Sequence, residues 1–462
     1  MFVVFDIGTS RLKVSAFSGA GELLGQIAKR HSQYAKDGYA WQDTSEWWRN
    51  ACSGFADLMR SSGLHAKDIR GFSVSGRAGA GIFVDGNGQV LAEPWSDGRH
   101  RPLLEALRDE HPHAPVYGLT LISKYAWLQQ NQPERCEAIQ HCLYAKDFLL
   151  FKLTGIAMTD PSSGPDALNW FDQNVVDRKL LPQPALPWSI AGELMSDAAE
   201  ELGCKPGIPV SVGAHDGICA NTGCAMLDEN DYVLTLGTHV VCRTLSETDH
   251  GPAERFYCYP PDRHAYGGNS WHIGSTLSWM LTSLADSPAE LSPGQLSEFN
   301  RRLGETEADP ALVFLPYLGG QTIPEKRSTG GGSFHGLSLN TSRQQLIRAV
   351  LQGCAFAVYR TYREISRITG EASQIGLTGG GIVFQPWLQM LADLLEKELS
   401  FTDIGVEGRG AAIFCAVALG DYQDVYEAAP AMQTTSSIVQ PQPIDKLCRQ
   451  QLEEFERLSA QT

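Results

Sequence analysis

Apolar and polar positions follow two rhythms along this chain, and the rhythms take turns. Phe2–Phe5 and Leu12–Phe17 are apolar runs joined by D-I-G-T-S-R, a Gly-containing turn, which predicts a hairpin. Leu23–Ala28 predicts a third strand. Ser45–Arg60 then shows helical spacing, with Trp47, Trp48, Ala51, Phe55, Leu58 and Met59 apolar and Thr44 or Ser45 as the expected N-cap. Trp47 and Trp48 are read as core. Ile69–Ser75 is a further strand, and Ile82–Val84 and Gln89–Leu91 flank the turn signal D-G-N-G. Strand-like and helical stretches go on alternating, which is the α/β pattern, and no repeat of about 20–50 residues marks a solenoid or propeller. Asp231–Leu236 opens the second half, where L-T-L-G-T-H-V-V-C-R-T reads as strand, turn, strand. Each half thus begins with a strand, a Gly-Thr turn and a strand, a hint of duplication. The boundary is placed near Met226, after a helix expected over Gly217–Ala225, giving domains 1–226 and 227–462. No Pro/Gly/Ser-rich linker separates them, so two packed domains with a cleft between them are expected.

Composition narrows the function. Of 462 residues, 37 are basic and 53 acidic, a net charge of −16, which argues against a nucleic-acid binder needing a basic footprint. A small anion such as ATP is not excluded, because backbone N–H groups and a metal bind phosphate locally. Eleven scattered cysteines without a CxxC pair point to reduced thiols in a cytoplasmic protein rather than to a disulfide framework or a zinc site. The start, M-F-V-V-F-D-I-G, reads as a strand and not as a signal peptide, and apolar runs such as Ala411–Leu419 are about half the ~20 residues of a membrane span. A soluble protein with no membrane partner is expected.

Five constellations can carry chemistry. In D6-I-G-T-S-R-L-K13 a carboxylate ends a strand, a Gly-Thr-Ser turn follows and a lysine sits on the next strand. The turn's N–H groups and the hydroxyls of Thr9 and Ser10 can face a phosphate, Lys13 adds charge, and Asp6 can hold Mg²⁺. An ordinary hairpin explains the same residues. Gly237–Thr238 repeats this turn, again with a tight hairpin as the plain alternative. In V-S-V-G-A-H-D-G-I-C, Asp216 sits where a helix should begin. A carboxylate there can accept a proton from a substrate hydroxyl, or can simply be an N-cap. His215 beside it can bond substrate or pack. In L-T-G-G-G-I-V-F-Q-P-W, from Leu377, three consecutive glycines let a flat ring approach the backbone, as an adenosine pocket or any tight crossover requires. No Walker A pattern occurs. Lastly Trp41, Arg77, Trp95, Asp97 and Arg99 offer rings and charges suited to a sugar, or to a core tryptophan and a surface ion pair.

Taken in order, these motifs resemble the FGGY family of carbohydrate kinases, within the actin-like ATPase superfamily. The resemblance runs from Asp6 to about Gly420. Its most specific segments are S-K-Y-A-W-L-Q-Q-N, Ser123–Asn131, with the pattern K–aromatic–x–W–apolar, and the run Gly332–Gln352. W-S-D-G-R at Trp95–Arg99, K-D-F-L at Lys146–Leu149 and G-R-G-A-A at Gly408–Ala412 also look like family segments. The resemblance implies two actin-like (ribonuclease H-like) domains with an interdomain catalytic cleft, closing on Mg²⁺-ATP and a small sugar or polyol. By this likeness Gly8, Thr9, Ser10 and Lys13 match the first phosphate motif, with Asp6 at the metal. Gly237 and Thr238 match the second phosphate motif, and Gly274, Gly380, Gly381 and Gln385 look like nucleotide contacts. Asp216 matches the family's catalytic base, and Arg77, Ala78, Trp95, Asp97, His215 and Asp216 fall at the sugar. A homodimer is the family-level expectation for assembly.

The sequence departs from familiar members at the sugar. S-G-R-A at Ser75–Ala78 stands where xylulokinases typically carry G-Q-M-H, and glycerol kinases carry Arg-Glu where this chain has Arg77-Ala78. Leu119 replaces the aromatic that glycerol kinases place before the Lys124 signature, which disfavours glycerol. A-H-D at Ala214–Asp216 resembles rhamnulokinase- and fuculokinase-type members. The implied acceptor is a ketose, polyol or sugar acid of four to six carbons. A different class of protein stays open: an ATP-binding actin-like module or regulator without sugar kinase activity. Such modules carry polymer contacts or a further peptide-binding domain, for which about 40 residues after Gly420 leave no room.

Overall fold

The alternating pattern resolves, in the computed structural model, into an α/β fold of two units, each built around its own mixed sheet. The structure describes residues 1–77, 79–110, 116–163, 176–251, 255–259, 262–270, 272–320, 330–402, 405–434 and 437–461.

The first unit comprises Met1–Leu227, Glu247–Ala265 and Gly405–Thr434. Its sheet runs in the order Ile190–Glu193, Pro209–Ser211, Gly71–Gly76, Phe2–Ile7, Arg11–Phe17, Leu23–Arg30. Phe2–Ile7 is antiparallel to Arg11–Phe17 and parallel to Gly71–Gly76. It is buried along its whole length, so both faces are covered. Val3, Phe5 and Ile7 join the core under the helix Thr44–Ser62, which buries Trp47, Ala51, Phe55 and Leu58. By the two-residue period of a strand, Phe2, Val4 and Asp6 share the other face. The cap of Thr44–Ser62 is Asp43, not Thr44 or Ser45: its carboxylate accepts from the N–H groups of Ser45 and Glu46. Thr44 and Ser45 already lie inside the helix, and Asp43, itself a residue type that caps helices, stands outside it. A smaller core around Phe83, Trp95, Leu119 and Tyr125 supports the segment 79–144.

The second unit comprises Asp228–Ser246, Tyr266–Ile404 and Thr435–Thr462. Its sheet contains, in order, Val240–Ser246, Asp231–Leu236, Gln374–Thr378, Leu399–Phe401 and Ser437–Val439. Asp231–Leu236 is antiparallel to Val240–Ser246 and parallel to Gln374–Thr378. The first unit shows the same arrangement, so the duplication hinted at by the Gly-Thr turns extends to the strand pairing around them. The long helix Arg343–Thr369 supplies much of this unit's core.

Met226, where the sequence suggested one boundary, lies beside the last residue of the first long segment, but the chain also returns to the first unit at Gly405–Thr434. The helix Val406–Ala418 causes that return. It packs on Asp216–Gly223 and on the strand Gly71–Gly76. No described helix is long and apolar enough to cross a membrane.

Candidate active site

The segment D6-I-G-T-S-R-L-K13, expected to face phosphate, is a hairpin with an acidic end. Register places Lys13 directly opposite Asp6, and their charged groups are 3.4 Å apart. Glu407, in the first turn of Val406–Ala418, comes within 3.7 Å of the same lysine. Burial pushes the Asp6 carboxyl up, and Lys13 works against that shift. Glu407 and Asp6 together hold Lys13 firmly protonated. Asp6 Oδ1 is buried with no hydrogen-bond partner. The turn is braced through its carbonyls. Thr9 O accepts from His31 Nε2 at 2.9 Å and from Gln42 Nε2 at 2.8 Å, while Ser10 O accepts from His31 N at 3.1 Å. The side chains of Thr9 and Ser10 are left exposed.

Asp216 reaches the site by a different route. The short strand Ala214–His215 pairs with Ser75 and Gly76, so the chain passes beside Arg77 before turning into the helix Asp216–Gly223. Gly213 makes that approach possible. Its φ is +65°, and a Cβ there would stand 1.8 Å from Val74 O. The helix cap is His215 rather than Asp216: imidazole Nδ1 accepts the Gly217 N–H at 3.1 Å. In the neutral ring Nε2 then carries the proton, and it lies 3.1 Å from Asp216 Oδ1, donating to it. Asp216 remains 38% exposed, whereas the Asp6 side chain is 8% exposed. Beneath the turn lies a buried set of charges: Lys146 Nζ is 2.8 Å from Asp147 and 3.1 Å from Asp160. Asp160 accepts from the hydroxyls of Ser162 and Ser163, and Ser162 Oγ in turn accepts the His215 N–H at 3.1 Å.

Arg77, whose charge Asp216 stabilises, lines a cavity of about 220 Å³ together with Gln42, Trp95, Ser96, His100 and Lys124. Arg77 donates to Gln42 Oε1 at 2.7 Å, so Gln42 ties the phosphate turn to the cavity wall. Burial brings Arg77 down to about 10, Lys124 to about 7 and His100 to about 4. Lys124 Nζ donates to the carbonyls of Gly79 at 3.0 Å and Trp95 at 2.8 Å. Asp97 is otherwise occupied. Its oxygens accept from Ala40 N and from Arg99, whose guanidinium clamps them and, against the effect of burial, holds Asp97 at about 2. Arg99 stacks on Tyr39, Trp95 and Trp127 in a neighbouring groove that Trp41 also lines. Ala78 lies outside the described residues.

In the second unit the structure gathers Gly237, Thr238, Gly274 and Gly381. A Cβ on Gly274 would stand 2.0 Å from Gly237 O and 3.0 Å from Thr238 Cα, and one on Gly381 would meet Leu236 at 2.8 Å. Gly380 faces open space. Gln385 begins the helix Gln385–Leu395 and donates to Ile382 O at 3.3 Å. His239 and His272 flank this turn, with His272 N–H donating to His239 Nδ1 at 3.1 Å.

Glu407, Gln42 and His31 belong to these clusters but were not singled out in the sequence. The one available signal was the position of Glu407 immediately before G-R-G-A-A.

The first unit thus combines a turn braced through its carbonyls, an acid–lysine pair and a polar cavity. The N-terminal domain of the FGGY family of carbohydrate kinases matches residues 1–223, and its C-terminal domain matches residues 222–419. The chain belongs to that family and is a carbohydrate kinase. Xylulose kinase of Staphylococcus epidermidis is 24% identical, covering 94% of this chain and 91% of its own length. Xylulose kinase of Escherichia coli is 26% identical, covering 95% and 94%. The crystal structure of xylulose kinase from Lactobacillus acidophilus superposes with a TM-score of 0.84 at 22% identity, over 100% of this chain and 97% of that one.

Proposed function

We propose that this kinase transfers the γ-phosphoryl group of ATP to one hydroxyl of a ketose, polyol or sugar acid of four to six carbons, with Asp216 as general base. The observation that carries the reading is the state of Asp216. It is the accessible carboxylate of a site whose other acids are buried or paired, and an imidazole N–H fixes its Oδ1. Its second oxygen is then the one to meet an acceptor hydroxyl. The hydroxyl oxygen forms a bond to the γ-phosphorus, its proton goes to Asp216, and the bond to the β-phosphate oxygen breaks to release ADP. Lys13 and the braced turn Gly8–Ser10 face the transferring group, and Gly237, Thr238, Gly274, Gly380, Gly381 and Gln385 hold the nucleotide. Arg77, Trp95 and His215 bind the acceptor, while Asp97 shapes the wall through Arg99.

Asp6 and Glu407 fit a magnesium site. Mg²⁺ typically takes one or two carboxylates and completes its shell with phosphates and water, and Asp6 Oδ1 has no other partner. When bound, the ion neutralises charge on the transferring phosphoryl group.

The test is ADP release coupled to a panel of acceptors. An acceptor should stimulate release, and Asp216→Asn should lower kcat by about 10²–10⁴-fold while ATP binding by calorimetry is unchanged. Slow release indifferent to every acceptor would instead favour an ATP-binding module.

A further inference from the structure

We propose that the cavity lined by Arg77 and Lys124 selects a carboxylate-bearing acceptor, an aldonic acid of four to six carbons, and that Arg77 binds its carboxylate. The proposal rests on the kinase reading above and adds the charge of the acceptor. Two cations, Arg77 and Lys124, line the cavity, and no Asp or Glu does so among the described residues. Neither cation has an ion-pair partner there. Arg77 meets a neutral amide, Gln42, and lies over the face of Trp47 at 5.7 Å, while its buried Nε has no hydrogen-bond partner. Lys124 is held by two carbonyls.

The neighbouring cations show how different this is. Lys13 has Asp6 and Glu407, Lys146 has Asp147 and Asp160, and Arg99 has Asp97. The nearby acids are therefore committed. Asp97 is clamped by Arg99, and Asp216, although it stabilises the charge on Arg77, is the proposed base. A buried charge is costly unless it is paired. A neutral polyol would leave Arg77 with Asp216 as its one compensating charge and its buried Nε without a partner. A carboxylate would supply the missing charge and accept from the guanidinium in the planar geometry that arginine favours. Burial first, and then repulsion by Arg77, brings Lys124 down to about 7, with Asp97 only partly opposing the fall.

The experiment compares acceptors of one carbon skeleton, for example D-gluconate, D-gluconamide and D-glucitol, with tetronates and pentonates as further acids. The acid should exceed its amide and alditol in kcat/KM by about 100-fold or more. Arg77→Met should abolish that preference, and Arg77→Lys should keep part of it, with melting curves showing both variants folded. Turnover of ketoses or alditols with aldonates at background would overturn the proposal and leave the kinase reading standing. Equal loss for acid and neutral acceptors in Arg77→Met would also overturn it. If no acceptor of any class stimulates ADP release, the kinase reading fails, and calorimetry of the wild-type protein with the same aldonates still decides. Binding weakened in Arg77→Met supports the carboxylate site, and absence of binding refutes it.

Discussion

Asp6 shows how much of this site is set by a single register. Burial drives the Asp6 carboxyl toward its neutral form, and Lys13 directly across the hairpin works against that drift, toward the ionised state a metal requires. Asp6→Asn should therefore raise the Mg²⁺ concentration for half-maximal activity by about tenfold or more, measured by titrating Mg²⁺ at saturating ATP, and Glu407→Gln should do so more weakly. Lys124 gives a stability prediction. Its folded value of about 7 lies below the ordinary 10.5. Between these values the unfolded chain binds more protons, so folding is most favoured above about 10.5, and that advantage is lost as the pH falls to about 7. The groups facing Lys124 are Arg77, Asp97, Arg99 and His100. Urea unfolding of the ligand-free protein and of Lys124→Met from pH 7 to 10 isolates this group, and the wild type should gain stability relative to the variant as the pH rises. Asp6, Lys13 and Asp216 could be read from sequence because a strand end, a turn and a helix start are local patterns. The pairing of Lys13 with Glu407 could not, since nearly four hundred residues separate them.

At the scale of elements, glycines decide which pieces may touch. Gly410, in G-R-G-A-A, carries the contact between Val406–Ala418 and Asp216–Gly223: a Cβ there would stand 1.9 Å from Cys219 O. The obstacle is backbone and cannot rotate away. Gly410→Ala should cost about 1–3 kcal/mol in unfolding free energy and also lower kcat, because Glu407 and Asp216 ride on the two helices it would push apart. Gly380→Ala is the control, since open space surrounds it and its stability should stay unchanged. The G-R-G-A-A segment was recognisable as a motif, but its physical purpose appears only when Cys219 is found opposite. The same holds for K-D-F-L. Lys146 and Asp147 are adjacent in sequence, and both are buried and linked through Asp160 and Ser162 to the backbone of His215. The His215 cap of Asp216–Gly223 was not legible for a related reason, because an imidazole accepting a backbone N–H has no distinctive spacing.

Across the whole molecule, the residues expected for the two substrates fall in different units. Arg77, Trp95, Lys124 and Asp216 belong to the first, and Gly237, Thr238, Gly274 and Gly381 to the second. Each unit has its own core, so ligand protection should be separable. A ligand that binds only the folded state adds about 2.7 kcal/mol at one hundred times its Kd, and the added protection concentrates where the ligand orders the chain. Hydrogen exchange on the intact protein can therefore assign the two substrates independently of turnover. An unhydrolysable ATP analogue without Mg²⁺ should slow exchange around 236–240, 273–277 and 378–385. An aldonate alone should slow it around 74–77, 94–100 and 214–218. Asp216→Asn should retain the nucleotide pattern, because its proposed contact is with the acceptor hydroxyl and not with the nucleotide. Nucleotide protection confined to the first unit would refute the assignment of the Gly237–Thr238 turn, whatever the effect of Asp216 on rate.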